Sequence, residues 1–133
     1  IQGQATSCAN SIGQKAGIEA LSGDQSCVED MKAAFRERRD FIVKLMNDLP
    51  GVTCAVPGGA FYVFPDFSSY MGDDRNIQSS NDLSMYLLKQ KAVVTVAGKA
   101  FGSDENVRFS YAASDEDLAR AMDLVEETLK ELE

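Results

Sequence analysis

The sequence predicts an α+β fold, with helices layered on one side of a small antiparallel or mixed sheet. Three observations lead there. Long amphipathic helical patterns occupy residues 27–48 and 114–132. Between them the texture changes to short runs of β-branched and aromatic residues bounded by glycine and proline. A further helical pattern at 80–91 divides those runs, so the order reads α, α, β, β, α, β, β, α.

Each element has its own warrant. In "NSIGQKAGIEAL" (10–21), Ile12, Ala16, Ile18, Ala20 and Leu21 fit a short helix that stops at "SGD". Ser26 and Glu29 form an S-x-x-E capping box, after which Val28, Met31, Phe35, Ile42, Leu45 and Leu49 recur at helical spacing. That helix should run from 27 to 48, and "LPG" (49–51) ends it. "VTCAV" (52–56) and "AFYVF" (60–64) read as two strands joined through Pro57-Gly58-Gly59. "DFSSYMGDDRNIQSS" (66–80) reads as a polar loop. "SNDLSMYLLKQK" (80–91) is an amphipathic helix with Leu83, Leu87 and Leu88 inward. "AVVTVAG" (92–98) and 106–112 are the third and fourth strands. Ser114 and Asp117 make a second capping box, opening a helix whose Leu118, Met122, Val125, Leu129 and Leu132 share one stripe.

The bulk numbers narrow the function classes. With 133 residues, 44% hydrophobic and 26% charged, the chain suits a soluble globular domain with a real core. No apolar run approaches the roughly 20 residues needed to cross a bilayer. Thirteen basic against twenty-one acidic residues leave a net charge of −8, which repels nucleic acid and anionic membrane surfaces alike. Cys8, Cys27 and Cys54 are odd in number and form no CxxC pair, so they read as small buried thiols of a reduced, cytoplasmic protein. The absence of histidine removes the commonest general base and metal ligand, and no metal site is expected. "IQGQATSCANS" opens without methionine or a signal peptide, so the chain is expected to be cut from something longer.

Arg108 is the conspicuous candidate. In "ENVRFSYAAS", Val107, Phe109 and Tyr111 alternate with Arg108, Ser110 and Ala112, which sets an arginine on the small-residue face of a strand. It is either a solvated edge residue or a charge aimed into a cleft that needs an anion. A guanidinium offers five donors in a planar fork matching a carboxylate, and no acidic residue lies at near strand spacing on its face. The glycines of "PGGAFYVFPDF" (57–67) either make a tight turn into a buried strand or allow close approach to a pocket walled by Phe61. "GKAFG" (98–102) is too short for a phosphate-binding loop, and no GxGxxG or GxxxxGK[ST] occurs.

Taken in order, "QGQATSCANSIGQKAGIEAL", "PGGAFYVFPDFS", "VVTVAGKAFG" and "VRFSYAAS" resemble the C-terminal part of fold-type I, pyridoxal-phosphate-dependent aminotransferases of class I/II. The likeness covers nearly the whole chain and leans towards bacterial and plant-type aspartate aminotransferases, a subgroup that includes prephenate-using enzymes. It implies transamination between an amino acid, such as aspartate, and a 2-oxo acid, with pyridoxal phosphate as electron sink. It implies that Arg108 clamps the substrate α-carboxylate, that Phe61 lies beside the substrate, and that Gln2, with the stretch to Ser7, lies near the active site of the other subunit of a homodimer. Residues 1–24 would end the large domain and 25–133 would form the small domain. The Schiff-base lysine and the other cofactor residues would lie upstream, so no catalytic or cofactor-binding residue is expected in this chain, and the fragment alone should be inactive. Ala97 stands where the family often has proline. The competing reading is a stand-alone carboxylate-binding or regulatory module.

Overall fold

The computed structural model describes residues 1–6 and 8–132. They fall into two compact units, Ile1–Lys32 and Ala33–Glu133. The first holds α1 (Gln2–Ala5), α2 (Ser11–Ser22) and the start of α3 (Ser26–Asp48). No described residue of this unit is buried, and Val28 and Met31 are exposed. The α3 start also departs from the expected capping box. Ser26 is already helical, and both its N–H and its hydroxyl donate to the Asp24 carboxylate. These bonds hold the Asp24 carboxyl below its ordinary value.

The second unit contains the sheet. β1 (Tyr62–Val63), β2 (Val96–Ala97) and β3 (Val107–Ser110) pair antiparallel in the order β1, β3, β2. Helix α4 (Ser80–Lys91) packs on β2, and α5 (Asp115–Lys130) packs on α4. The α+β expectation is met, but one of the four expected strands is missing and the other three are shorter than expected, 60–64 keeping only Tyr62–Val63 and 106–112 keeping Val107–Ser110. The 52–56 run forms no strand because its backbone bonds go elsewhere. Asn47 of α3 accepts from the Cys54 N–H at 2.9 Å and donates to the Cys54 carbonyl at 2.9 Å, leaving one bridge, Thr53 to Asp66. The 92–98 run shrinks to β2 because Ala92 closes α4 in the left-handed region, and the Ala92 and Val93 N–H groups turn back to Leu88 and Leu87.

The core runs from Ile42 and Met46 of α3 through Leu83 and Leu87 of α4 to the α5 stripe, where Leu118, Met122, Val125, Leu129 and Leu132 are all buried. The Ser114 box forms as expected: its hydroxyl accepts from the Asp117 N–H and donates to the Asp117 carboxylate. Ser79 and Asp82 repeat the same arrangement at α4. Leu88 departs from the expected inward face and is exposed. The 66–80 loop is less polar than expected, since it carries two 3-10 turns and buries Phe67, Tyr70 and Ile77. Cys54 is buried, and burial pushes its thiol up, but Cys8 and Cys27 are exposed because they lie where nothing is buried. Among the described residues, no helix is long and apolar enough to cross a membrane.

Candidate functional site around Arg108

Strand alternation sets the site. Val107 and Phe109 of β3 point into the core, which sends Arg108 and Ser110 to the opposite face. Val96 lies opposite Arg108 on β2, and Tyr62 lies opposite Ser110 on β1. Cross-strand partners share a face, so Tyr62 comes diagonally within reach of the guanidinium. Its ring centroid is 4.3 Å from the Arg108 Cζ, and the Phe101 ring is 4.7 Å away. Each such contact is worth about 1 kcal/mol at a half-exposed position.

Ring contacts occupy the flat faces of a guanidinium, whereas its N–H donors point outward in its plane. Among the described residues, no carboxylate pairs with Arg108. The stacked cation is therefore held in place with its hydrogen-bonding fork uncommitted. Such a fork binds a carboxylate bidentately.

The loop carrying Phe101 is tightly anchored. Gly98 opens a 3-10 turn, Gly98–Phe101, and Gly102 closes it at φ 87°, a left-handed conformation that glycine adopts freely. A side chain at Gly98 would collide with the Ser103 and Asn106 carbonyls. Ser80, fully buried at the head of α4, donates its hydroxyl to Asp104 at 2.8 Å and accepts from the Lys99 N–H at 3.1 Å. The Ser80 hydroxyl, aided by Lys99, holds the Asp104 carboxyl below its ordinary value. Phe64 meets Phe101 edge-on at 6.0 Å, and Asn106 donates to the Phe64 carbonyl, so the residue just after β1 braces the same ring.

Phe61 is exposed and packs at 4.5 Å from Tyr62 and 6.2 Å from Phe35. Its backbone is pinned by Tyr111, whose N–H donates to the Phe61 carbonyl and whose hydroxyl donates to the Ala60 carbonyl. Ala60 sits at φ 59°, a strained conformation for a residue with a Cβ, which the Tyr111 bond helps to hold. Tyr62 thus links two of the expected site residues, Phe61 and Arg108. Gln2 is exposed on α1 of the first unit, where its carbonyl accepts from Thr6; Ser7 lies outside the described residues. Tyr62 and Phe101 are the partners that the sequence reading missed. The alternation in "AFYVF" gave Tyr62 a face, but only the strand register shows whose face it shares.

No lysine among the described residues is fully buried. A lysine that binds a carbonyl covalently must shed its proton and sit in a desolvated pocket. Lys15, Lys32, Lys44, Lys89, Lys99 and Lys130 are exposed. Lys91, half-buried, is gripped by Glu127 and Glu131, which raise its pKa, opposite to that need. Nor does any group of acidic or cysteine side chains among the described residues suit a metal ion.

The family model for aminotransferase class I and II matches residues 1–125. The chain belongs to the class I and II aminotransferases. The aspartate aminotransferase of Pinus pinaster is 45% identical over 97% of this chain. A probable aspartate/prephenate aminotransferase of Rhizobium leguminosarum is 42% identical over 91% of it. The crystal structure of the Rhizobium meliloti aspartate aminotransferase superposes with a TM-score of 0.89 at 36% identity over 97% of this chain. This aminotransferase chain spans 28%, 31% and 33% of the lengths of those three proteins.

Proposed function

We propose that the chain is the C-terminal part of an aminotransferase, with residues 1–24 ending the large domain and residues 25–133 forming the small domain. The whole protein, a cytoplasmic homodimer, transfers the amino group of an amino acid to a 2-oxo acid. Aspartate is the first substrate to try, because the relatives bear that name. Arg108 binds the substrate α-carboxylate. The observation carrying this reading is the guanidinium stacked between Tyr62 and Phe101 with its in-plane donors unclaimed by any described carboxylate.

Two donors on two carboxylate oxygens fix the position and the plane of the substrate's carboxylate and so anchor its Cα. Orientation of that kind removes a substantial part of a reaction barrier. Phe61 lies beside the bound substrate, which its exposure and its contact with Tyr62 support. Gln2 belongs to a segment near the active site of the other subunit. Pyridoxal phosphate is held by residues outside this chain, a reading supported by the exposed or ion-paired state of its lysines.

The test is an amino-transfer assay of the whole protein with aspartate and 2-oxoglutarate, then with prephenate as acceptor, beside this chain alone. Turnover by the whole protein and none by the chain is expected. A whole protein inert towards every such pair, or a chain that turns over by itself, contradicts the proposal.

A further inference from the structure

Ring contacts continue beyond the two neighbours of Arg108. Phe35, Phe61, Tyr62, Arg108, Phe101 and Phe64 form one unbroken column, with successive separations of 6.2, 4.5, 4.3, 4.7 and 6.0 Å. It begins on α3, crosses β1 and β3 to the Gly98–Phe101 turn, and ends just after β1.

The link between Phe61 and Tyr62 is not what a strand would give. Successive strand residues face opposite sides, yet these two rings meet at a 48° tilt. Phe61 lies just outside β1, beside Ala60 at φ 59°, and its ring stacks on Phe35 at an interplanar angle of 30°. Phe35 is held in turn by two other groups. The buried Tyr111 ring meets it edge-on at 6.2 Å, and the Arg38 guanidinium lies over it at 5.8 Å. Arg38 is itself tied to Asp115, at the head of α5, by a 2.8 Å ion pair.

This support matters because the stack on Arg108 is weak by itself. Fixing an arginine removes rotamer freedom comparable in size with what two ring contacts return. Rings free to move would leave the fork free to move. Among the described residues, Phe61 is the one ring packed against Tyr62, and Phe35 is what keeps Phe61 in place. We propose that Phe35 is a positioning residue for Arg108, acting through Phe61 and Tyr62, so that the fork is already aimed when the carboxylate arrives. This inference rests on the carboxylate-binding role proposed for Arg108.

The experiment measures kcat and KM of the whole protein with aspartate and 2-oxoglutarate. Phe35→Leu and Phe35→Met keep apolar bulk at a half-buried position and lose the flat face. Each should lower kcat/KM about tenfold for both substrates, since both carry the α-carboxylate, with most of the loss in KM. Phe35→Tyr restores the face and should return to within about twofold of wild type. In an Arg108→Lys background, Phe35→Leu should cost less than about twofold more, because a residue acting through the arginine then has nothing left to aim. Equal losses in the two backgrounds are what a merely structural role gives, and they overturn the inference. Phe35→Leu and Phe35→Met within about twofold of wild type, beside an Arg108→Lys loss of at least about 100-fold, overturn this inference alone. Arg108→Lys within about twofold of wild type overturns the role of Arg108 and this inference with it.

Discussion

Helices α2 and α5 share their local design. Asn10 caps one and Ser114 the other, each accepting from a backbone N–H three residues on, and each helix carries apolar residues at helical spacing. Their side chains meet opposite fates. Val125 of α5 is 0% exposed, whereas Ile12 and Leu21 of α2 are 82% and 86% exposed. α5 packs against α4 within the core of its unit, while the first unit buries no described side chain. A periodic pattern says which face of a helix is apolar; only a neighbour can turn that face into stability.

Truncation tests this contrast most strongly. Leu129→Ala in α5 should destabilise the second unit by about 3 kcal/mol, read from a urea midpoint at unchanged slope. A loss under about 1 kcal/mol would place α5 on the α2 side of the comparison. Next comes Gly98→Ala, which forces a methyl into the Ser103 and Asn106 carbonyls and should cost about 2 kcal/mol while weakening the Phe101 contact with Arg108. The intrinsic stability and the Arg108 side-chain NMR signals should change together. Acid unfolding of Asp104→Asn gives a third, smaller effect. The folded Asp104 carboxyl lies below its ordinary value, so its stabilisation is present above the unfolded value of about 4 and fades as pH falls through the folded value. The gap between wild type and variant should therefore be widest near neutrality and close in acid; a gap independent of pH would contradict the Ser80 and Lys99 assignment. Leu21→Ala in α2 should move stability by less than about 0.5 kcal/mol in the same urea assay.

Features fixed by near neighbours in the sequence were the legible ones. Helix α5, its Ser114 cap and its buried stripe follow from spacings within a few turns, and so does the alternation that puts Arg108 opposite Val107 and Phe109. Features fixed by distant groups were not. The side chain of Asn47 takes the backbone of Cys54 out of any strand, and Asp24 displaces Glu29 from the α3 start. At the site, residue spacing left Arg108 open between a solvated edge and a cleft. Tyr62 and Phe101 reach it only through the β1–β3 register, which joins residues 62 and 110, and through a turn that Ser80 locks from 19 residues away. A long-range register of that kind leaves no mark in local periodicity.

Arg108 is proposed to present a planar fork to a carboxylate. Its most direct test is kcat/KM of the whole protein carrying Arg108→Lys, which keeps the charge and loses the fork. A fall of at least about 100-fold is expected, equivalent to about 2.7 kcal/mol of transition-state stabilisation. A variant within about twofold of wild type, with the same KM, would contradict it.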